Sequence, residues 1–152
     1  MWNKLYKREV IGKIWFVPHI YYEDWVFNCC VFERANNFAW IKDKLYGYRC
    51  SNNSIMRSAF TEKKLADYET GIKTVYAYFM AYAPEKWELV KRTRISRTVK
   101  MLMNGTLRSK DKDLRIKTAL VLQELKANNL ITYAGLSLKN KLKLYYFQNL
   151  KG

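Results

Sequence analysis

The sequence predicts an α+β fold, in which an aromatic-rich, strand-containing N-terminal part packs on a basic, mostly helical second part. Residues 1–58 hold short apolar runs rich in Val, Phe, Trp and Tyr and separated by Asn, a composition typical of strands. From Thr61 onward, apolar residues recur at helical spacing until a final stretch in which they alternate again. We therefore predict two units, residues 1–58 and residues 59–152.

Composition limits the kinds of protein that this chain can be. It has 152 residues, 49% of them hydrophobic and 16% aromatic, which is enough for a packed core. Lys and Arg number 28 against 13 Asp and Glu, so the net charge is +15. An excess of this size repels itself in the folded state and predicts a polyanionic partner. Nucleic acid is favoured over an anionic membrane surface or an acidic protein.

Targeting and redox features are sparse. No uncharged apolar run approaches about 18 residues, and the N-terminus lacks the apolar stretch of a signal peptide, so neither a membrane span nor secretion is predicted. The expected location is the cytoplasm. Cys29, Cys30 and Cys50 contain an adjacent pair and no CxxC motif, which favours buried reduced thiols over disulfides.

Three strands are predicted in the first part, over residues 10–17, 25–32 and 38–41. Each is a short apolar stretch, and Pro or Asn residues follow the first two. Together they predict a small antiparallel sheet. The sequence SNNS over residues 51–54 predicts a loop.

Helical spacing begins at Thr61, whose hydroxyl can cap the first turn of a helix. The following residues, to about position 83, are helical in composition, although Gly71 interrupts them and allows two helices. Pro84 suits the first turn of a further short helix, since its missing N–H would be unpaired there in any case. Trp87 is expected to face the core from this helix.

A turn is predicted near residues 94–95, followed by a short helix over residues 97–103. Ser96 is a good N-cap for this helix, and the Asn-Gly pair at residues 104–105 is a good C-terminal stop. A loop over residues 106–110 leads to the next element.

The clearest predicted helix begins after Asp111 or Asp113, either of which can cap it, and ends at about Asn128. Its apolar stripe at about 100° per residue consists of Leu114, Thr118, Val121, Leu122 and Leu125. Residues 130–138 and 142–147 then alternate as two strands. A loop over residues 139–141 would join them into a hairpin with a basic tip.

This order of helices followed by a basic hairpin resembles winged helix-turn-helix DNA-binding domains over roughly residues 70–150. RISRTVKMLM, residues 94–103, is similar to their shorter helix. TALVLQELKANNLITY, residues 118–133, is similar to a recognition helix that leads into the first wing strand. The resemblance implies that the long helix enters the major groove and that the hairpin touches the flanking backbone. The loop over residues 106–110 is longer and more basic than the usual tight turn, which leaves open which helix enters the groove.

The resemblance also implies roles for twelve side chains. The expected readers of base edges are Lys112, Arg115 and Gln123. The expected phosphate contacts are Arg92, Arg94, Arg97, Lys100, Arg108 and Lys110, with the hairpin lysines Lys139, Lys141 and Lys143. Charge supports this placement, because residues 86–117 hold eleven Lys or Arg against three Asp or Glu.

Catalytic, metal and cofactor motifs are not recognised, so the chain is not predicted to be an enzyme and no cofactor is expected. His19 is the only histidine, and the cysteines do not have zinc-site spacing. No glycine-rich phosphate loop is present. The carboxylates that a metal-dependent nuclease would use do not have a recognisable spacing: Glu23, Asp24, Glu33 and Asp43.

Five aromatic residues of the first part have three possible roles. Core packing is favoured, and stacking on single strands or an exposed patch for a protein partner are alternatives: Trp15, Trp25, Trp40, Tyr46 and Tyr48.

The predicted function is non-catalytic binding of double-stranded DNA, as in a transcription regulator or a replication-origin-binding protein. One alternative is a small inhibitor or adaptor that docks on a nucleic-acid-handling enzyme. Another is an RNA-binding component of a larger assembly. Homodimerisation is a further hypothesis, because winged-helix proteins often act in pairs.

Overall fold

The computed structural model describes residues 3–49, 55, 58–132, 134 and 136–150, and every regular element within them is helical. The helices are α1 (Arg8–Ile11), α2 (Glu23–Arg34), α3 (Glu62–Tyr82), α4 (Trp87–Val90), α5 (Ser96–Arg108), α6 (Lys112–Ala127) and α7 (Leu138–Gln148). A 3₁₀ turn, Pro84–Lys86, leads into α4, and a π-helical turn, Lys91–Ile95, joins α4 to α5. The predicted α+β fold class is therefore wrong, since the described residues form no strand.

The apolar core is built around α3, which contacts α2 on one side and α4, α5 and α6 on others, while α7 packs on α5 and α6. Its fully buried side chains include Phe79, Leu102, Leu122 and Phe147, one from each of α3, α5, α6 and α7. Val26 of α2 belongs to the same cluster. Residues of both predicted units thus contribute to one core, and the division at residue 58 stays a prediction.

The first part contains α2 in place of the strand predicted over residues 25–32. Val26, Phe27, Cys30 and Val31 are its buried side chains. Their spacing of one, four and five residues places them on one face of a helix. The segment predicted as a strand over residues 10–17 contains the end of α1 and irregular chain, and residues 38–41 are irregular as well. The loop predicted over residues 51–54 lies outside the described residues.

The helix predicted after Thr61 is confirmed as α3. The Lys64 backbone N–H donates to the Thr61 hydroxyl at 3.4 Å, as expected of an N-cap. Gly71 does not divide this helix. It lies against Trp25 of α2, and a Cβ added at Gly71 would come within 2.7 Å of the Trp25 ring. The glycine therefore allows a close approach of two helices.

The turn predicted near residues 94–95 is wrong, because the chain stays helical from Pro84 to Arg108. The π-helical turn, Lys91–Ile95, takes its place, and the Ser96 hydroxyl donates back to the Arg92 carbonyl instead of capping a new helix. The predicted stop at residues 104–105 is passed within α5, so the loop expected over 106–110 is replaced by a connection of three residues, 109–111.

Helix α6 confirms the clearest prediction. Asp111 is its N-cap, with its Oδ1 accepting from the Leu114 N–H at 3.0 Å. Leu114, Thr118, Leu122 and Leu125 of the predicted stripe are fully buried, and Val121 is half-buried.

Helix α7 replaces the predicted hairpin, and residues 139–141 lie in its first turn and not in a loop. Asn140, Leu144 and Phe147 form its buried face at helical spacing, whereas Leu138 and Leu142, which the hairpin would have placed inside, are exposed. Residues 133 and 135 of the predicted strand 130–138 lie outside the described residues. The hairpin that the winged-helix resemblance implies is thus not formed by the described part of the chain.

Candidate nucleic-acid interface

One exposed face of α5 carries three predicted phosphate contacts. Arg97, Lys100 and Arg108 are exposed, and their spacing of three and eight residues keeps them within about 80° of one another around the helix. Asn104 lies between them, and its Oδ1 accepts from Lys143 Nζ of α7 at 2.6 Å. We define the basic face as Arg97, Lys100, Arg108 and Lys143.

Four further predicted cations lie at the two ends of this face. Arg92 and Arg94 are exposed in the π-helical turn, and Lys110 and Lys112 are exposed where the chain passes from α5 into α6. From Arg94 to Arg108 the cations extend over about 21 Å, at the rise of a helix. They extend the run of exposed cations beyond both ends of α5.

Ion pairs within the described residues use five lysines and no arginine. The lysines that pair with carboxylates within the described residues are Lys63, Lys73, Lys86, Lys91 and Lys117. None of the eleven predicted nucleic-acid-binding cations forms an ion pair with the described residues. Their charge is therefore not neutralised by a direct carboxylate contact within this part of the chain.

The three lysines predicted for a hairpin tip are split by α7. Lys139 and Lys143 lie one turn apart on the flank of α7 that faces α5, where Lys143 reaches Asn104. Lys141 lies on the opposite flank, towards the side on which α7 meets α6. The structure therefore brings two of the three lysines towards the basic face.

Two of the predicted base readers are engaged inside the molecule. Arg115 is half-buried, and its Nη2 donates to the Ser109 carbonyl at 2.8 Å, so it holds the turn between α5 and α6. Gln123 donates from Nε2 to the Gln148 carbonyl at the end of α7 at 3.0 Å. Lys112 alone of the three is exposed without such a contact within the described residues. These contacts leave α5 with more exposed cations that make no internal contact among the described residues than α6.

A cleft of about 540 Å³ adjoins the basic face, and no sequence pattern indicated it. Its aromatic wall is a stack of three rings. The ring centroids of Tyr22 and Tyr68 are 4.5 Å apart, with an angle of 18° between the ring planes. The ring centroids of Phe60 and Tyr68 are 6.2 Å apart, with an angle of 20° between the planes. Met101 and Arg108 of α5 line the other side. The three rings come from separate segments of the chain, so local spacing carries no signal of them.

Two contacts hold the aromatic wall in place. Phe60 lies on Gly105 of α5, where a Cβ added to the glycine would overlap its ring. Lys64 is almost fully buried, and its Nζ donates to the Ile55 and Ser58 carbonyls and to the Ser58 hydroxyl at 2.7–2.9 Å. Burial lowers the pKa of this lysine. The three hydrogen bonds of Lys64 tie the segment that precedes Phe60 to α3.

The N-terminal aromatics are more exposed than core packing would require. Trp15 and Trp40 are 83% and 89% exposed, and Tyr46 and Tyr48 are about half exposed. Trp25 is half-buried against Gly71 of α3. Core packing is therefore wrong for Trp15 and Trp40, and both alternative roles stay predictions.

Acidic, histidine and cysteine side chains do not converge on a metal site among the residues that the structure describes, where no group of three or more could hold an ion. Glu33 is paired with Lys86 at 2.8 Å. The exposed His19 accepts a hydrogen bond from Lys63 through its backbone carbonyl. Burial raises the pKa of the Cys29 thiol to about 11, partly opposed by the nearby Arg94, and the pKa of the Cys30 thiol to about 12.

None of the described helices combines the length and apolarity that a bilayer crossing requires. In comparisons with known proteins, no protein-family model matches the chain, and no curated protein and no solved structure is significantly similar to it. These comparisons neither support nor contradict the resemblance to winged helix-turn-helix domains.

Proposed function

We propose that this chain binds double-stranded DNA without catalysis, through the basic face and the cations at its two ends. The observation that carries the proposal is a concentration of exposed cations along α5 and at its two ends, none of which forms an ion pair with the described residues: Arg92, Arg94, Arg97, Lys100, Arg108, Lys110 and Lys112. Exposed, unneutralised Arg and Lys along a line of about 21 Å match the repeated charge of a phosphate backbone.

Phosphate contacts are expected to dominate the affinity. Arg115 and Gln123 would have to break hydrogen bonds to the Ser109 and Gln148 carbonyls before they could reach base edges. Arg97, Lys100 and Arg108 are exposed and can contact phosphates as they stand. We therefore propose binding with a steep salt dependence and a weak preference for sequence, and base reading by Lys112, Arg115 and Gln123 stays a prediction.

The test is fluorescence anisotropy of a short labelled duplex, titrated with the protein at several salt concentrations. The variant Arg97→Ala/Lys100→Ala/Arg108→Ala should bind more weakly. Each phosphate that is no longer neutralised should lower the slope of log affinity against log salt by roughly 0.9, so the triple variant should lower it by about 2 to 3.

The matched control removes the same charge elsewhere, with Arg8→Ala/Lys13→Ala/Lys42→Ala, three exposed cations that form no ion pair with the described residues. It should retain most of the slope. Equal losses in both variants would reject a localised interface in favour of diffuse charge attraction. Tighter binding to an RNA duplex would favour the RNA-binding alternative, and failure to bind either acid would favour an adaptor with an acidic protein partner.

A further inference from the structure

The cleft beside the basic face combines features that match one class of ligand. Tyr22, Phe60 and Tyr68 supply an aromatic wall, and Met101 supplies an apolar contact on the other side. Flat aromatic surfaces bind planar rings by stacking, and nucleobases of any sequence have such a face. The volume of about 540 Å³ lies within the range of small-ligand sites, roughly 300–1,000 Å³.

The polar groups of the cleft select for an anion. The exposed Arg108 guanidinium forms no ion pair or hydrogen bond with the described residues, and no Asp or Glu lines the cleft. Asn104 also lines it, and because its Oδ1 is occupied by Lys143, its amide N–H groups are left to donate. A ligand here would meet donors and positive charge next to an aromatic surface.

We infer that this cleft binds a single nucleotide unit, with the base in contact with the aromatic side chains that line it and the phosphate beside Arg108. The nucleotide comes either from an unpaired position of a bound strand or from a free nucleoside monophosphate. The first source extends the proposed duplex binding and rests on it, because Arg108 belongs to both surfaces. The second source is independent of it.

The wall residues allow the site to be tested apart from the basic face. Phe60→Leu removes the ring that lies on Gly105 of α5, and it changes no charge. Tyr22→Gly removes the other accessible ring, and because Tyr22 has a φ of 65°, glycine suits its backbone better than any other residue. Tyr146→Leu, at a half-exposed ring on α7, is the matched control.

The experiment measures anisotropy of a blunt duplex and of the same duplex with one unpaired 3′ adenosine. The wild-type chain should prefer the overhang by at least about 5-fold, the lower end of the contribution of one stacked base. Phe60→Leu and Tyr22→Gly should lose this preference while binding the blunt duplex as before, and Tyr146→Leu should keep it. Circular dichroism establishes whether each variant is folded. If either Phe60→Leu or Tyr22→Gly is unfolded, the result of the remaining variant tests the inference.

A parallel NMR titration with adenosine 5′-monophosphate, adenosine and inorganic phosphate separates the two sources. Binding of the monophosphate that depends on Phe60, without an overhang preference, supports a free nucleotide as the ligand. Blunt-duplex binding with neither an overhang preference nor monophosphate binding overturns the inference and leaves the proposed function intact. Binding of the monophosphate without any binding of the duplex supports the nucleotide site and overturns the proposed function. If the chain binds none of these ligands, both the nucleotide site and the proposed function are overturned.

Discussion

Thr106 of α5 and Thr118 of α6 meet through their hydroxyl groups in the middle of the core. Both are fully buried, with 3.0 Å between the two Oγ1 atoms. Thr106 Oγ1 also lies 3.1 Å from the Leu102 carbonyl, and Thr118 Oγ1 lies 2.8 Å from the Leu114 carbonyl. The two hydroxyl groups have only two hydrogens for these three contacts. One threonine therefore donates its hydrogen to the other threonine, and that second threonine donates to the backbone carbonyl in its own helix. This polar contact fixes the register of α5 against α6.

Replacing Thr118 by Val should lower the free energy of unfolding by about 1 kcal/mol, because it removes one buried hydrogen bond at nearly constant volume. The double variant Thr106→Val/Thr118→Val should cost less than the sum of the two single variants, since neither hydroxyl is then left without its partner. Urea unfolding followed by circular dichroism measures all four proteins. Strict additivity would mean that the two hydroxyls do not interact.

The two adjacent thiols of α2 are expected to be poor nucleophiles. Burial raises the pKa of Cys29 to about 11 and that of Cys30 to about 12, so at about pH 8 the thiolate fraction is on the order of 0.1% or less. In a Cys50→Ser variant, labelling by iodoacetamide should be slow in the folded chain, accelerate about tenfold per unit of pH up to that range, and become fast in denaturant. Rapid labelling of the folded protein near neutral pH would contradict this burial.

Single residues differ in how much of their setting a sequence can indicate. Charge is carried by the residue itself, so Arg97, Lys100 and Arg108 could be proposed as contacts without a structure. The contacts of Arg115 and Gln123 could not, because their partners are backbone carbonyls of a turn and of the end of α7. Those acceptors are placed by tertiary packing, which leaves no mark on local spacing.

Whole elements differ in how strongly their sequence specifies them. Helix α6 has both a capping Asp111 and a stripe with a helical period, and two such signals agree only with a helix. In α2, nearly every residue from 25 to 32 is apolar, so the same run fits a strand or a helix. Packing on α3 selects the helix. In α7, alternating leucines suggested a hairpin, whereas the buried face depends on Asn140 and Phe147.

The contact between α2 and α3 depends on the missing side chain of Gly71. Ala favours a helix over Gly by about 1 kcal/mol, yet a Cβ at this position would meet the Trp25 ring at 2.7 Å and Val26 Cγ2 at 3.0 Å. Gly71→Ala should therefore destabilise the chain by about 1–3 kcal/mol through overpacking.

Thermal unfolding measures this effect, and Gly71→Ala in a Trp25→Ala background provides the control. With the ring removed, the same substitution should cost much less. An increase in stability for Gly71→Ala in the otherwise unchanged chain would show that α2 and α3 leave room for a methyl group between them.

At the scale of the molecule, three ion pairs among the described residues join different elements. Glu62 pairs with Lys117 and Glu124 with Lys73, which links α3 to α6 twice, and Glu33 pairs with Lys86 to link α2 to the 3₁₀ turn. With a net charge of +15, this use of carboxylates leaves a surplus of positive charge on the α5 side. The surplus opposes folding through its own repulsion.

The Tm should accordingly rise when salt is added from a low starting concentration, because screening weakens that repulsion. At low salt a short DNA duplex should raise the Tm further, since a ligand that binds only the folded chain stabilises it. Added salt and added duplex should each raise the Tm of the Arg97→Ala/Lys100→Ala/Arg108→Ala variant less than they raise the Tm of the Arg8→Ala/Lys13→Ala/Lys42→Ala control. A Tm that does not change with salt would show that the surplus charge carries no repulsive cost.

The π-helical turn between α4 and α5 sets the direction in which the basic face points. Trp87, Lys91, Ile95, Val99 and Met103 are all buried at intervals of four residues, and on an uninterrupted α-helix this series would drift by about 160° around the axis. A π-helical turn takes up more residues per turn and offsets much of that drift, so the series stays inside. If the same five residues formed an ordinary α-helix instead, everything beyond the turn would be rotated about the helix axis by roughly 90°. The orientation of the arginines on α5 thus depends on the form of the turn that precedes them as well as on which residues they are.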